Sequence, residues 1–231
     1  MPDLINRFQF NMNDFKEDGL YLLTKDKRLE FTNTKIKGLA DEFWNNSAKL
    51  SADIKEATEF KRCDFCPLNE TGNMCDAIRP TLPLIDQLGG YNSFDQVTAI
   101  YKEVGKKELH IADTDMQNAL RYISILSLTQ YCQKAKMFYR YFKGVIPIMD
   151  SDDVAKQIYM NIYWINRGEE KLIQSELDKF KKVLFITTQN QNNRLDIIMK
   201  EDSLKNAFAI VHIVSELLSM NAENLIKKSL E

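Results

Sequence analysis

Three of the four cysteines in this chain fall within one short run, RCDFCPLNETGNMC, as Cys63, Cys66 and Cys75. The fourth, Cys132, follows Cys75 after 56 intervening residues. A C-x2-C pair puts two sulfurs on one side of a tight turn, within reach of a single metal. Eight residues then separate Cys66 from Cys75, among them Pro67, the polar stretch NETGN and the turn-former Gly72. Three thiolates can thus converge, and Cys132 is the one cysteine left to complete a set of four. The expected site is Cys63, Cys66, Cys75 and Cys132, binding a metal or an iron–sulfur cluster.

The spacing bears on which metal. Structural zinc sites usually combine two close pairs, such as C-x2-C with a second C-x2-C or an H-x3-H. The second pair is missing here, and His110 is only a distant substitute ligand. Three clustered cysteines and one remote one are similar in layout to several [4Fe–4S] proteins, oxygen-sensing regulators among them. The likeness covers these four residues only. Cys66-Pro67 also echoes the cysteine–proline step of ferredoxin motifs, although there the proline follows a different cysteine. A [4Fe–4S] cluster is the first expectation for the cofactor and zinc the second. The third is no metal, with the cysteines as small buried hydrophobes. That reading suits Cys132, between Tyr131 and Gln133. It does not explain Cys63 and Cys66 beside Lys61, Arg62 and Asp64. The cations Lys61, Arg62 and Arg79 would favour thiolates.

Other chemistry has less support. The two histidines are His110 and His212. His212, in AFAIVHIVSELL, reads as a hydrogen-bonded core residue. His110 lies near Asp113 and Asp115, which helix capping explains more simply than catalysis. No G-x-G-x-x-G, Walker A, H-E-x-x-H or G-x-S-x-G pattern occurs, and no helix carries the E-x-x-H of a di-iron bundle. Thiol exchange at Cys63 or Cys66 lacks the βαβ context of thioredoxins. Tyr131, Phe138, Tyr139, Tyr141 and Phe142 are interleaved with Lys134, Lys136, Arg140 and Lys143. This mix reads as a helix that buries its rings and lets its cations snorkel.

Composition narrows the class. With 31 basic and 33 acidic residues the net charge is -2, and no basic stripe marks a nucleic-acid binder. No apolar run approaches the ~20 residues of a membrane span, and no signal peptide is evident. The expectation is a cytoplasmic protein whose C-x2-C thiols are ligands or redox groups rather than disulfides.

The elements that must position the cysteines read as mostly α: an irregular multi-helix bundle with a small N-terminal antiparallel β element. Runs at 7–12, 19–24 and 28–33 alternate at strand spacing. They define a hairpin or meander over 1–34, packed on the body. The region 35–150 carries the cysteine site, and 151–231 is a C-terminal helical region of the same continuous domain. Within the middle region, Ile36 to Phe60 has helical period, and LPLIDQL is a short helix stopped by Gly89-Gly90. Val97, Ile100, Tyr101 and Val104 predict a helix capped by Ser93. A Thr114–Gln117 capping box opens a long helix ending near Gly144, with Cys132 inside it. Further helices start at Ser151, around Leu172 and at Asp202–Ser203, with a short terminal helix in NAENLIKKSL. The polar stretch 187–194 reads as a loop or a solvated turn of helix. Outward charges on the C-terminal helices leave a surface for a protein partner or a second copy.

The functional expectation is a redox- or oxygen-responsive regulator or electron-transfer protein. The alternative is a zinc-stabilised helical interaction or scaffold module without catalytic activity. Nothing beside the cysteines supplies a second catalytic group, so binding ranks above catalysis.

Overall fold

The computed structural model describes residues 11–46, 50–60, 62–71 and 74–229, with side chains as far as 218. It is mostly helical, with a four-stranded antiparallel sheet. Strands β1 (Gly19–Leu23) and β2 (Arg28–Thr32) form the hairpin expected near the N-terminus. Most of the run at 7–12 lies outside the described residues. Gly19 has φ +141, and a Cβ there would meet the Thr32 Cα at 2.5 Å, so the strand pair can close only on glycine.

The rest of the sheet corrects the expectation of a purely N-terminal β element. The segment read as a helix from Ser93 to Val104 is strand β3 (Gln96–Lys102), which pairs with β1 and with β4 (Leu109–Asp115). The strand order is β2-β1-β3-β4. The helical reading failed because Val97, Ile100, Tyr101 and Val104 satisfy a 3.6-residue period by coincidence. Every residue from Val97 to Tyr101 is buried, so both faces of β3 are covered and no alternation survives to reveal a strand. Ile100 packs with Phe15, Tyr21 and Leu23 on one face, while Val97, Ala99 and Tyr101 join the main core on the other.

The helices follow in order. Helix α1 (Asn33–Asn45) is capped by Thr32, whose side chain accepts the Lys35 N–H. Helix α2 (Ala52–Glu59) is capped by Ser51 and leads to Cys63. Helix α3 (Met116–Leu126) is capped by Asp115, which accepts from Asn118 at 2.9 Å, while Thr114 belongs to β4. The expected long helix through Cys132 is not continuous. A π turn over Ser127–Tyr131 follows α3, the chain leaves helical geometry at Cys132, and a 3-10 segment spans Ala135–Phe142.

Helix α4 covers Ser151–Ile165 and α5 covers Glu170–Ile198 without interruption, so the polar stretch 187–194 is helix interior rather than loop. Helix α6 (Ser203–Ser229) is also continuous, with no separate terminal helix. One cluster of buried side chains runs from Leu20 on β1 through α3, α4 and α5 to Leu218 on α6. At its centre Phe180 touches the rings of Phe138, Tyr141 and Phe142, with centroids 5.1 to 6.1 Å apart. Among the described residues, no helix is long and apolar enough to cross a membrane.

Arg121 on α3 is fully buried. Its guanidinium donates to Pro147 O at 2.7 Å, to Ser151 Oγ at 2.9 Å and to Met149 O. Burial lowers its pKa to about 10, so it stays charged at neutral pH. One cation thus satisfies the turn between the 3-10 segment and α4. Arg121→Met would strand the buried Pro147 carbonyl and leave the partly buried Met149 carbonyl and Ser151 hydroxyl without this donor, and the expected loss is about 2–3 kcal/mol. Urea unfolding should show a lower midpoint at unchanged slope. An unchanged midpoint would mean the turn does not depend on this side chain.

Candidate metal centre

Cys66, Cys75 and Cys132 sit where a helical segment starts or stops, places where the N–H groups of a first turn or the carbonyls of a last turn lack helical partners. Cys63 follows α2. Cys66 and Cys75 directly precede the 3-10 turns Pro67–Asn69 and Asp76–Ile78. Cys132 ends the π turn, with its own N–H bonded to Ser127 O at 2.9 Å. Its Sγ accepts the Ala135 N–H at 3.4 Å and so caps the following 3-10 segment. The C-x2-C turn is closed by Cys66 N–H to Cys63 O at 2.8 Å, and Asn69 Nδ2 donates to Cys63 O at 2.9 Å. Cys75 is anchored to α2 through its N–H on Thr58 O, 3.0 Å.

Two contacts across the sequence tie Cys132 to Cys75. Gln133 Nε2 donates to Asp76 Oδ2 at 2.6 Å, and the Ser127 hydroxyl donates to Ala77 O. All four cysteines line one cavity. Cys63 and Cys132 are buried, Cys66 and Cys75 half-buried, and all four are free thiols.

The sequence reading missed the fourth wall. Helix α5 turns Thr187, Gln191 and Arg194 into the same cavity. Asn190 Nδ2 donates to Cys63 Sγ at 3.3 Å and Gln191 Nε2 to Cys75 Sγ at 3.6 Å. Arg194 is 1% exposed, donates to Phe60 O at 2.9 Å and acts electrostatically on the Cys63 thiol. The signal lay in TTQNQNNR itself: Thr187, Gln191 and Arg194 recur at helical spacing on the face that continues Leu177, Phe180 and Leu184.

Other expected participants lie elsewhere. Arg79 pairs with Asp41 at 2.5 Å and lies over Trp44. Lys61 falls outside the described residues. His110 is on β4, stacked on Tyr101, and does not line the cavity. His212 is half-buried against Phe185, 3.7 Å from Glu216, rather than in the core.

Arg62, Lys134 and Arg194 line the cavity against the single carboxylate Asp76, a balance of +2 from three cations and one anion. Four thiolates around one zinc ion, or around an oxidised [4Fe–4S] core, make a dianion of matching charge. The donor set, the N–H groups on three sulfurs and this charge fit a four-thiolate centre.

Size and spacing pull apart. The space between the side chains is ≈ 20 Å³, room for about one water or one ion. Yet among the described residues no group of three or more Cys, His, Asp or Glu side chains is arranged to hold a single metal ion. Four sulfurs on one zinc must lie about 3.8 Å from each other. Filling the site therefore requires movement, inward around an ion or outward around a cluster. Among the described residues, the hydrogen bonds of 64–71 stay within 62–71, while Phe65 packs against the main core and under Lys134.

Burial pushes the Cys132 thiol up to about 11, and desolvation also raises Cys63. A thiol whose folded pKa exceeds its unfolded value near 9.0 stabilises the fold below that value and loses the contribution as pH rises through the folded pKa. Metal-free protein should lose about 2–3 kcal/mol between pH 9 and 11 through Cys132. Urea titrations across that range check this, and Cys132→Ala should flatten the slope. An equal slope in the variant would show that the thiol is not buried as described.

No family model matches this chain, and no curated protein or solved structure matches it.

Proposed function

We propose that Cys63, Cys66, Cys75 and Cys132 hold a [4Fe–4S] cluster and that the protein is a redox- or oxygen-responsive regulator or an electron-transfer protein. The observation carrying this reading is the single cavity that gathers all four thiols under the amide groups of Asn190 and Gln191. Hydrogen bonds to the sulfurs are one of the means by which proteins set a cluster's potential. Bound there, such a cluster would supply one-electron chemistry. Losing it would free the 62–71 segment from α5 and the π turn, giving a route from redox state to conformation.

The second reading is a zinc-stabilised interaction module, favoured by the small size of the cavity. Exposed Trp164, Phe185 and Ile213 on the C-terminal helices would then offer apolar area to a protein partner or a second copy.

Protein purified without oxygen should be brown and carry iron and acid-labile sulfide. Colourless protein with stoichiometric zinc would replace the first reading by the second. Neither metal in a folded sample would end both. Cys132→Ser should lower metal occupancy sharply, and unchanged occupancy would remove Cys132 from the ligand set. Reconstitution at neutral pH should release about four protons, because the thiols bind metal only as thiolates. Asn190→Ala removes an N–H that favours the more negative, reduced state, so a redox titration should show a lower potential than the parent. An unchanged potential would leave that amide a structural contact only.

A further inference from the structure

The sheet ends on β4, and the outer side of that strand is open. Among the described residues, β4 pairs only with β3, and no hydrogen bond reaches the backbone groups that Leu109–Thr114 turn away from it. Folded proteins usually protect such an edge with proline, a bulge or a central charge. The other edge strand, β2, carries the Arg28–Glu30 ion pair at 2.9 Å. The centre of β4, Leu109 to Ala112, has neither proline nor lysine, arginine or a carboxylate. Its ladder to β3 runs from Leu109 to Asp115 without a bulge.

The side chains at this edge match their own reversed copy. Leu109, Ile111 and Asp113 share one face of β4 by alternation. Ile111 is paired with Ile100 there, and Leu109 packs on the small cluster of Phe15, Tyr21, Leu23 and Ile100. Ile111 is 46% exposed, so the cluster is uncovered on its β4 side. Lys107 and Asp113 are both exposed, and an extended pairing would place Lys107 in the same row.

Consider two β4 strands paired antiparallel about His110. Leu109 then stands opposite Ile111 of the second copy, and Lys107 opposite its Asp113. The two-fold axis repeats both pairings, giving apolar pairs in the middle and opposite charges at both ends. Centring the pair on Leu109, Ile111 or Ala112 instead sets Lys107 or Asp113 against an apolar side chain. We propose that the chain forms a symmetric dimer through β4, joining two four-stranded sheets edge to edge in the register centred on His110. The occupant is a second copy because the edge carries its cation before the apolar pair and its anion after it, so reversal alone brings the two together. The interface is separate from the cysteine cavity, none of whose walls comes from β4.

The test is sedimentation velocity on the full chain, purified without oxygen, over a concentration series reaching about 0.1 mM, where a micromolar Kd gives mostly dimer. A dimer is expected. Ile111→Lys should give a monomer with the far-ultraviolet spectrum of the parent. Lys107→Asp and Asp113→Lys each set like charges opposite one another at both ends, and each should weaken association about tenfold. Asp113→Lys also loses the hydrogen bond from Thr98 at 2.6 Å, so the double exchange is measured against it. Lys107→Asp with Asp113→Lys restores opposite charges and should return Kd to within about threefold of the parent. These exposed charge positions keep the test decisive if Ile111→Lys does not fold. A monomeric parent, a dimer indifferent to Ile111→Lys, or a double exchange no tighter than the single variants would each overturn the proposal.

Discussion

The chain turns away from helical geometry at Cys132, and the thiol there takes over the work of a helix cap. A continuous helix from α3 would have paired every amide with a carbonyl in the preceding turn and left the sulfur as filler. The π turn instead releases amides next to Cys132, and the sulfur accepts one of them. The same turn uses Ser127 to grip Ala77 and Gln133, just beyond it, to grip Asp76. Cys75 is therefore brought to Cys132 by contacts on either side of the break. The cysteine cavity and the 3-10 segment both border this one irregular turn. Such turns concentrate at functional sites because a regular helix cannot point its amides at anything but itself.

Helix α5 supplies the opposing constraint. Its buried face changes from Leu177, Phe180 and Leu184 to Thr187, Thr188, Gln191 and Arg194. The two threonines are satisfied locally, donating to carbonyls three and four residues back. Gln191 and Arg194 are not surface groups trapped by accident. The first donates to a cysteine sulfur, and the second brings a full charge beside the thiols. Gln191 Oε1 has no hydrogen-bond partner among the described residues. Leucines at these positions would pack without desolvation cost, so the polar choice weakens the core to furnish the cavity, and violations of pattern of this kind gather at sites.

What could be read from the sequence was local. The hairpin and the start of α4 at Ser151 follow from turn residues and capping patterns, and the C-x2-C turn from its short spacing. What could not be read was set by partners far along the chain. Strand β3 is covered on both faces, so its pattern carried no period of two. Cys132 lies in a run without glycine or proline, and nothing local marks the break that gives its thiol a role. The polar stretch 187–194 looked solvated because its partners are sulfurs from residues 63 and 75, more than a hundred positions away. Arg79, cationic and adjacent in sequence, was drawn off by Asp41, while Arg194 took the place beside the thiols.

A π turn holds one residue more than the α-helix it interrupts. Losing a single residue between 127 and 131 would let the helix run on through Cys132, and the amides now turned to its sulfur would return to backbone carbonyls. All four cysteines would still be present. The length of the segment joining Cys75 to Cys132 therefore matters beside the cysteines themselves, because a deletion in the turn would undo the arrangement of the four thiols without removing one of them.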